Sequence, residues 1–351
     1  MVNIHRVLFV TLGRSTDLSQ VGESFVQKLA KLSVVECLES TRPVLDSPLR
    51  LVVDSLTQAV RTMAFCDNYD CVISRGAVIG ILVSAMTRMF RKRTRHVILS
   101  IGLSYLVRTR FRWLVKIALP RLVGASDIVL CHSTHEVTAW KRAGHNSSYF
   151  IPLSFDVSDG SWNAYVEGNY IFSGGRADRD YNSLLGAVRG LQFRVVLAIG
   201  RNPINGRYDF DCDTLPDNVE VMRDVTPMEF DRLMRMSMLV VLPLRRVSYN
   251  VGQTVLVKAL LFGKPVIASW NPGVLDYISD GVNGLTFPPG DSRALRGAIQ
   301  HVLNNEEARR DMGRRARILA LNMCESESVM DSFRRILSER GLVFSGNSQP
   351  A

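Results

Sequence analysis

Short apolar runs alternate with longer stretches in which apolar residues recur at helical spacing, over most of the chain. The runs are rich in Val and Ile and are bounded by Gly, Pro, Asn or Ser, a pattern typical of buried strands. In the first half the predicted strands are Ile4–Val10, Val34–Leu38, Asp70–Ser74, His96–Ser100, Asp127–Cys131 and Tyr149–Pro152. Regular alternation of strand and helix predicts a parallel, doubly wound α/β sheet.

The alternation stops over residues 157–169, VSDGSWNAYVEGN, and then starts again. Because this stretch lacks periodicity and is rich in turn-forming residues, we interpret it as a linker. The second series predicts strands at Tyr170–Ser173, Phe193–Ile199, Met238–Leu242 and Val266–Ser269, and a hairpin at Gly281–Phe287. The pattern therefore predicts an α/β protein with two Rossmann-like domains facing each other across a cleft, where the ends of parallel strands bind ligands.

The domain boundaries follow from this pattern. Residues 1–156 are predicted to form the first domain and residues 170–325 the second. A helix at 326–343 is expected to pack back on the first domain, ahead of a flexible tail at 344–351.

Positive charge is concentrated in one part of the first domain. The chain carries a net charge of +10, and residues 71–126 hold eleven Lys and Arg but no Asp or Glu. Aromatic residues are interleaved with these basic residues, at Phe90, Tyr105, Phe111 and Trp113. The combination favours a surface that lies on anionic lipid headgroups. A nucleic-acid patch and an ordinary solvated face are the alternatives, but no nucleic-acid-binding module is present, so we expect no nucleic acid as partner.

No apolar run in the basic segment is long enough to cross a bilayer. Gly76–Met86 and Val97–Val107 are each about eleven residues long, against the roughly twenty that a spanning helix needs. A helix is predicted at Arg108–Leu119, before Pro120. The apolar run near Met1 is too short for the core of a signal peptide. We therefore expect a cytoplasmic protein that is peripheral on the inner face of the membrane.

The six cysteines are scattered, with no C-x-x-C pair and no Cys/His spacing of the kind that holds zinc. This distribution indicates buried thiols in a reducing compartment and argues against a disulfide framework. We expect no bound metal and no cofactor.

The most informative stretch runs from Pro243 to Leu285. A loop of small and polar residues leads into a predicted helix at Thr254–Phe262, which Gly263-Lys264-Pro265 ends. A glycine-containing loop before a helix presents unpaired N–H groups and the positive end of a dipole, which suits an anionic ligand. On spacing alone an ordinary αβ unit is an equal alternative, because the glycines match neither a P-loop nor G-x-G-x-x-G.

Four segments of the second half resemble the donor domain of GT-B-fold glycosyltransferases, in particular the retaining family 4 (group 1) type. They are YIFSGGRADRDYNSLLGAV at Tyr170–Val188, VGQTVLVKALLFGKPVIAS at Val251–Ser269, PGVLDYISDGVNGLTFPPGDSRALRGAI at Pro272–Ile299 and RRDMGRRAR at Arg309–Arg317. The first half matches the family mainly in layout. The resemblance implies a transferase that moves a sugar from a nucleotide diphosphate sugar to a lipid-linked or glycan acceptor with retention, without a metal, in polysaccharide biosynthesis.

The same resemblance implies roles for individual residues. Arg176 and Arg179 would face the donor diphosphate, where positive charge stabilises the leaving group. Donor-binding loops would come from Gly13, Gly174, Gly175, Gly252, Gln253 and Thr254. No pair of carboxylates indicates a covalent glycosidase-like route. If a base from the first domain acts, the candidates are His96, His132 and His135, of which His132 follows a buried strand.

Two positions depart from the family pattern. The family has a Glu near the transferred sugar and a second Glu on the ribose, and this chain has Asn250 and Lys258 there. Asn can hydrogen-bond a sugar hydroxyl, whereas Lys cannot accept a hydrogen bond from ribose. The departure motivates a second hypothesis, a catalytically weakened glycosyltransferase-like subunit that binds a partner or a membrane. A sugar-nucleotide epimerase on the same fold fits the four segments less well.

Overall fold

The computed structural model places two α/β units along the chain. Unit 1 comprises Met1–Asp156 with Cys324–Ala351, and unit 2 comprises Val157–Met323. The residues that the structure describes are 1–12, 20–38, 48–100, 121–124, 127–142, 144–158, 162, 166–202, 207–208, 210 and 215–344. Gly13 and the helix predicted at Arg108–Leu119 lie outside them.

Unit 1 is built on a six-stranded parallel sheet. In chain order its strands are β1 (Val2–Ile4), β2 (Arg6–Val10), β3 (Val34–Leu38), β4 (Cys71–Arg75), β5 (Arg95–Ser100), β6 (Ile128–Cys131) and β7 (Ser148–Phe150), with β1 outside the main sheet. The order across the sheet is β3-β2-β4-β5-β6-β7. From β2 the chain moves outward to β3 and then returns to β4, so the topological switch point lies between β2 and β4.

The helices of unit 1 cover both faces of this sheet. They are α1 (Gln20–Ala30), α2 (Pro48–Phe65), α3 (Ala77–Met89) and α4 (Thr134–Arg142), and a helix from the end of the chain, Ser326–Glu339, joins them. Successive strand residues point to opposite faces. Cys71 and Ile73 therefore pack in one core with α1 and the C-terminal helix, and Val72 packs in another with α3.

The C-terminal helix is held in unit 1 by apolar and ionic contacts. Phe333 meets Phe25 of α1 edge to face, with ring centroids 5.1 Å apart, and Lys28 pairs with Glu327. The Glu325 carboxylate caps the helix by accepting from the backbone N–H groups of the first turn. Beyond the helix, a strand at Leu342–Phe344 pairs in parallel with β1.

Unit 2 repeats the layout with a second six-stranded parallel sheet. Its strands are β8 (Tyr170–Gly175), β9 (Arg194–Ile199), β10 (Val219–Arg223), β11 (Leu239–Leu242), β12 (Val266–Ser269) and β13 (Gly284–Phe287). Its helices are α5 (Tyr181–Val188), α6 (Pro227–Arg235), α7 (Gln253–Leu261), α8 (Pro272–Leu275), α9 (Ser292–Leu303) and α10 (Glu306–Cys324). The sheet order β10-β9-β8-β11-β12-β13 puts its switch point between β8 and β11. In the same numbering the C-terminal helix Ser326–Glu339 is α11 and the strand Leu342–Phe344 is β14.

The hairpin predicted at Gly281–Phe287 is wrong. A tight turn, closed by a hydrogen bond from Gly281 N to Gly284 O (2.9 Å), leads into β13 alone. β13 pairs in parallel with β12, from Val266 opposite Gly284 onward. The turn chemistry was recognised, but the strand's partner lies earlier in the chain rather than beside the turn.

Residues before β8 pack on the core of unit 2. The Trp162 ring stacks on Phe262 with centroids 4.7 Å apart. Lys264 is fully buried, and its Nζ donates to Val166 O (2.5 Å) and Ser237 O (2.7 Å). Burial lowers the pKa of this ammonium to about 8. The segment on the N-terminal side of β8 is thus tied to the sheet by a buried cation.

Four of the cysteines are buried, as predicted, but Cys37 is exposed, and all five described cysteines are free thiols. Burial raises the pKa of Cys71 and Cys324 to about 12.

Among the described helices, none combines the length and apolarity needed to cross a bilayer.

Candidate active site

The loops that follow β8 and β11 meet at the switch point of unit 2. The backbone of Arg179 bridges that of Leu244. Asp180 N donates to Pro243 O at 2.8 Å, and Arg245 N donates to Asp178 O at 2.9 Å. We call this hydrogen-bonded edge the β8–β11 rim. It stands where open α/β sheets bind their ligands.

Two glycines and a buried arginine shape the first loop of the rim. Gly175 has φ of +140°, and a Cβ there would lie 2.4 Å from Nη2 of Arg179. Arg179 is 4% exposed, and its Nε donates to Gly174 O (3.0 Å) while Nη1 donates to Ala177 O (2.8 Å). Arg179 therefore holds the loop in shape from beneath.

Arg176 is the exposed cation of this loop. Its aliphatic stem lies against Gly200, where a Cβ would be 2.9 Å from Cγ of Arg176. The described residues provide no acceptor for its guanidinium. Arg176 thus presents a positive charge at the rim that is available to an anion.

The second loop ends at Gly252, which caps α7 in the left-handed conformation with φ of +77°. Glycine suits both this conformation and the close approach of Leu242 and Leu244, whose methyl groups would lie 3.1 and 3.0 Å from a Cβ. The first N–H groups of α7 have no partner within the helix. The positive end of α7 is therefore directed at the rim.

The polar residues around the start of α7 have different surroundings. Gln253 is buried, and its Nε2 donates to Gly273 O at 3.2 Å, which links α7 to α8. Asn250 Oδ1 lies beside the same glycine, 3.1 Å from the position of a Cβ. Thr254 is exposed on the first turn. Thr254 and the amides of α7 are the groups best placed to contact a ligand.

Lys258, which stands where the family has its second Glu, forms an ion pair inside unit 2. Its Nζ donates to Oδ1 and Oδ2 of Asp231 on α6, at 2.9 and 2.7 Å. The two side chains are 12% and 18% exposed. Asp231 was not predictable from the sequence, because nothing in its helix marks it as the partner of a distant lysine.

The three candidate histidines of unit 1 lie in different environments. His132 Nδ1 donates to Ile151 O at 2.9 Å. Burial, with a further contribution from the charge of Arg75, lowers the pKa of His132 to about 4, so its imidazole is neutral at pH 7. His96 is buried, with Nε2 2.8 Å from Ser74 Oγ. His135 is exposed on α4.

His96 belongs to a buried polar network rather than to a reactive site. Its Nδ1 lies 3.9 Å from Asp127 Oδ2, and the same carboxylate accepts from Gly124 N at 3.0 Å and from the Ser84 hydroxyl. Ser74, at the other side of the ring, is 0% exposed. The Ser74–His96–Asp127 arrangement therefore tethers β4, β5 and the start of β6. Nothing in the described ranges groups three His, Cys, Asp or Glu side chains as a metal site would.

Residues 213–319, which include α7 and the second loop of the rim, match the family model described as Glycosyl transferases group 1. This part of the chain is therefore similar in sequence to group 1 glycosyltransferases. Comparison with curated protein sequences gives no significant match.

Solved glycosyltransferase structures share the fold over almost the whole chain. HepE from Anabaena, in complex with UDP-glucose, has a TM-score of 0.69 at 17% identity over 95% of this chain and 99% of that one. Sucrose-phosphate synthase from Thermosynechococcus elongatus has a TM-score of 0.70 at 16% identity, over 95% and 98%. The lipopolysaccharide outer core galactosyltransferase WaaB, in its apo form, has a TM-score of 0.66 at 10% identity, over 95% and 99%. The two parallel α/β units are thus the GT-B fold, as predicted.

Proposed function

We propose that the chain is a group 1 glycosyltransferase that moves a sugar from a nucleoside diphosphate sugar, with retention, to a lipid-linked or glycan acceptor at an anionic membrane surface, as a step of polysaccharide biosynthesis. The observation that supports the donor class most directly is the β8–β11 rim, where Arg176 and the N-terminus of α7 offer positive charge at the switch point. HepE, which shares the fold, has been solved with UDP-glucose, with UDP, and with UDP and glucose.

The proposed mechanism assigns the developing charge of the leaving diphosphate to groups on unit 2. Arg176 contributes a guanidinium, and the first N–H groups of α7 contribute preorganised donors. Gly175 and Gly252 keep side chains away from the phosphates. Arg179 acts through the loop that it holds. On this proposal the charge is stabilised without a metal, and activity persists in the presence of a chelator.

Arg176→Gln tests the diphosphate site. Calorimetric titration with UDP, GDP and dTDP should show one preferred nucleotide for the wild type and an affinity at least tenfold lower for the variant. Arg189→Gln is the matched control, because it removes an exposed arginine of the same unit outside the rim. If all three nucleotides fail to bind the wild type, or bind Arg176→Gln equally well, the donor site is misassigned.

Retention is proposed to arise from front-face displacement, in which the donor phosphate helps to take the acceptor proton. The polar atoms of Asn250 and Thr254 would contact the sugar hydroxyls. NMR can identify the first sugar anomer released during slow donor hydrolysis, before mutarotation. The same anomeric configuration as in the donor is expected, and the opposite configuration would exclude retention.

A membrane surface is proposed at the C-terminal ends of α2 and α3. Phe65, Met89 and Phe90 are 47%, 68% and 53% exposed there. Exposed arginines surround them, at Arg88, Arg91, Arg93 and Arg95. We call this set the apolar–basic patch. Exposed aromatic and aliphatic side chains beside basic residues suit the interface of an anionic bilayer. We propose that this surface binds the cytoplasmic face of the membrane.

Vesicle flotation tests this surface. Phosphatidylglycerol vesicles should retain the wild type, and phosphatidylcholine vesicles should retain less. Replacing Arg91, Lys92, Arg93 and Arg95 with Ser should release the protein, more readily at high salt because screening weakens the attraction. Arg335→Ser, an exposed change on α11, should behave as the wild type. Unchanged flotation of the quadruple variant would contradict the surface.

The second candidate is a catalytically weakened subunit, which Asn250 and Lys258 favour because neither is acidic. In that case the wild type would bind vesicles or a partner protein but release no nucleotide diphosphate from any donor. Robust turnover by the wild type would exclude this alternative.

A further inference from the structure

Two exposed side chains follow neighbouring strands at the carboxyl edge of the unit 2 sheet. Arg246 lies in the loop after β11 and is exposed. Trp270 directly follows β12 and is 55% exposed. β11 and β12 pair in parallel, so both side chains stand at the edge where open α/β sheets bind their ligands.

The exposure of Trp270 sets it apart from the other described tryptophans. Trp140 and Trp162 are 2% and 5% exposed. An indole is a large apolar group with one polar N–H, and proteins bury most of its surface in a core or against a ligand. An exposed indole at a ligand-binding edge is therefore a candidate contact for a ligand.

The backbone of Trp270 is held from both sides. Trp270 N donates to Phe287 O at 2.7 Å, which continues the pairing of β12 with β13 past the last paired residue. On the other side Ser269, which is 1% exposed, accepts from Leu244 N at 2.7 Å through its hydroxyl. The indole is thus presented by the sheet itself, which makes it a rigid platform.

A buried amide positions Arg246 beside this platform. Asn271 is 2% exposed. Its Oδ1 accepts from Val247 N at 3.2 Å, and its Nδ2 donates to Arg245 O at 3.3 Å. The Asn271 side chain therefore binds the backbone on both sides of Arg246, and the residue before it in the chain is Trp270.

The two consecutive arginines of this loop differ in what they contact. Arg245 donates from Nε to Arg179 O at 3.2 Å, and its backbone N–H donates to Asp178 O, so it belongs to the β8–β11 rim. Arg246 is exposed on the fixed loop. Its guanidinium is not needed to hold the rim together.

An indole face beside a guanidinium matches a charged saccharide. One face of a pyranose ring is formed by C–H groups, which pack on an aromatic ring, and the indole N–H donates to a hydroxyl. A guanidinium binds a carboxylate or a phosphate with two parallel hydrogen bonds. Because the backbone at both residues is fixed before binding, little ordering is needed when the ligand arrives.

We propose that Trp270 and Arg246 bind a saccharide that carries a carboxylate or a phosphate, with its ring on the indole and its anionic group on the guanidinium. The inference rests on the proposed function, because it adds a saccharide subsite to the unit that holds the nucleotide. The ring belongs either to the donor sugar or to the acceptor, and both present the same chemistry to these two residues.

Saturation-transfer NMR of the full chain measures the binding of three probes: methyl glucoside, which is neutral, glucuronate and glucose 6-phosphate. We expect at least one charged probe to bind at least tenfold more tightly than methyl glucoside. Comparison of the two charged probes shows whether a carboxylate or a phosphate is preferred. Equal affinity for all three probes, or no binding of any probe, would overturn the proposal.

Variants assign the binding to the two side chains. Trp270→Ala should weaken the binding of the stronger charged probe at least tenfold, whereas Trp270→Phe keeps an aromatic face and should have intermediate affinity. Arg246→Gln should abolish the preference for the charged probe over methyl glucoside. Ile318→Ala, at a residue of unit 2 that is 59% exposed, and Arg189→Gln should bind as the wild type does. Unchanged affinity in Trp270→Ala or in Arg246→Gln would refute the site.

Competition distinguishes the two sources of the saccharide. A probe that the nucleotide sugar displaces, but the corresponding nucleoside diphosphate does not, occupies the position of the donor sugar. A probe that binds alongside both ligands occupies an acceptor position. Displacement by the nucleoside diphosphate itself would contradict the proposal, because the two residues would then bind the nucleotide.

Nucleotide binding is measured in parallel, so that the two proposals fail independently. Trp270→Ala and Arg246→Gln should bind the preferred nucleoside diphosphate within about threefold of the wild type. A tenfold loss in Trp270→Ala would indicate that a nucleobase stacks on the indole and would overturn the saccharide subsite. If the wild type binds no nucleotide, the donor proposal fails, and the probe titrations decide the subsite on their own result.

Discussion

The ion pair between Lys258 and Asp231 allows two roles of Lys258 to be distinguished. Lys258 either stabilises the fold as a structural brace between α6 and α7 or binds the nucleotide. Lys258→Met keeps most of the aliphatic stem and removes both hydrogen bonds to the carboxylate, which are 2.9 and 2.7 Å long. With the pair only 12% and 18% exposed, Asp231 would be left with little solvent in place of its partner. Hydrogen bonds to charged groups contribute about 1.5–3 kcal/mol, so we expect a loss of about 2 kcal/mol.

Thermal unfolding measures the contribution of Lys258 to stability, and nucleotide titration measures its contribution to binding. A loss of about 2 kcal/mol lowers Tm by roughly 4–8 °C. A double-mutant cycle with Asp231→Asn should give a coupling free energy of about 1–2 kcal/mol, above the value for a fully exposed pair. Lys141→Met, an exposed lysine of α4, is the control and should leave Tm within about 1 °C.

Because Lys258 is paired with Asp231, we expect it not to contact the nucleotide. The nucleotide Kd of Lys258→Met should then stay within about threefold of the wild type, below the tenfold change that corresponds to 1.4 kcal/mol. An unchanged Tm combined with a tenfold weaker nucleotide Kd would refute this reasoning. Lys258 would then be a donor ligand despite its pairing with Asp231.

Two further predictions concern the interior of unit 2. Because the pKa of Lys264 falls from 10.5 to about 8 on folding, the unfolded chain binds more protons between these values; stability should rise by about 3 kcal/mol from pH 8 to 10.5. Urea unfolding should show this contribution in the wild type and not in Lys264→Met, and equal pH slopes would contradict it. Gly313→Ala would place a Cβ 2.2 Å from Gly263 O and should cost about 1–3 kcal/mol. Gly297 has open space around it, so Gly297→Ala should instead stabilise the protein by about 0.5–1 kcal/mol. Equal Tm changes in the two variants would argue against the close contact between Gly313 and Gly263.

Both sheets were predictable from the sequence because strands of parallel sheets are buried on both faces. Such strands appear as continuous apolar runs, as in Val195–Ile199 and Leu239–Leu242, and the helices between them repeat at helical spacing. The position of the rim followed from the same pattern, since polar residues just after such runs lie at the carboxyl edge of the sheet.

Pairings between distant residues were not predictable. The turn before β13 carries the signals of a hairpin, and its parallel partner is known only once the sheet is formed. The brace between Lys258 and Asp231 joins two helices whose packing the sequence does not specify. Lys258 therefore appeared as a departure from the family pattern, without the carboxylate that it contacts.

The burial of individual basic side chains was also not predictable from the sequence. In the sequence Arg75 is one of eleven basic residues in residues 71–126, all of which suggested a lipid-facing surface. In the structure Arg91 and Arg93 are exposed, whereas Arg75 is partly buried at the end of β4. The basic segment therefore includes residues in two different environments, the exposed apolar–basic patch and the partly buried end of β4.

The most direct test of the donor chemistry is nucleoside diphosphate release from a panel of UDP-, GDP- and dTDP-sugars incubated with the full chain. We expect release from one nucleotide series, which should be strongly reduced in Arg176→Gln. Absence of release from every donor, in a protein that still unfolds cooperatively, would contradict the assignment of the β8–β11 rim as the donor site of an active glycosyltransferase.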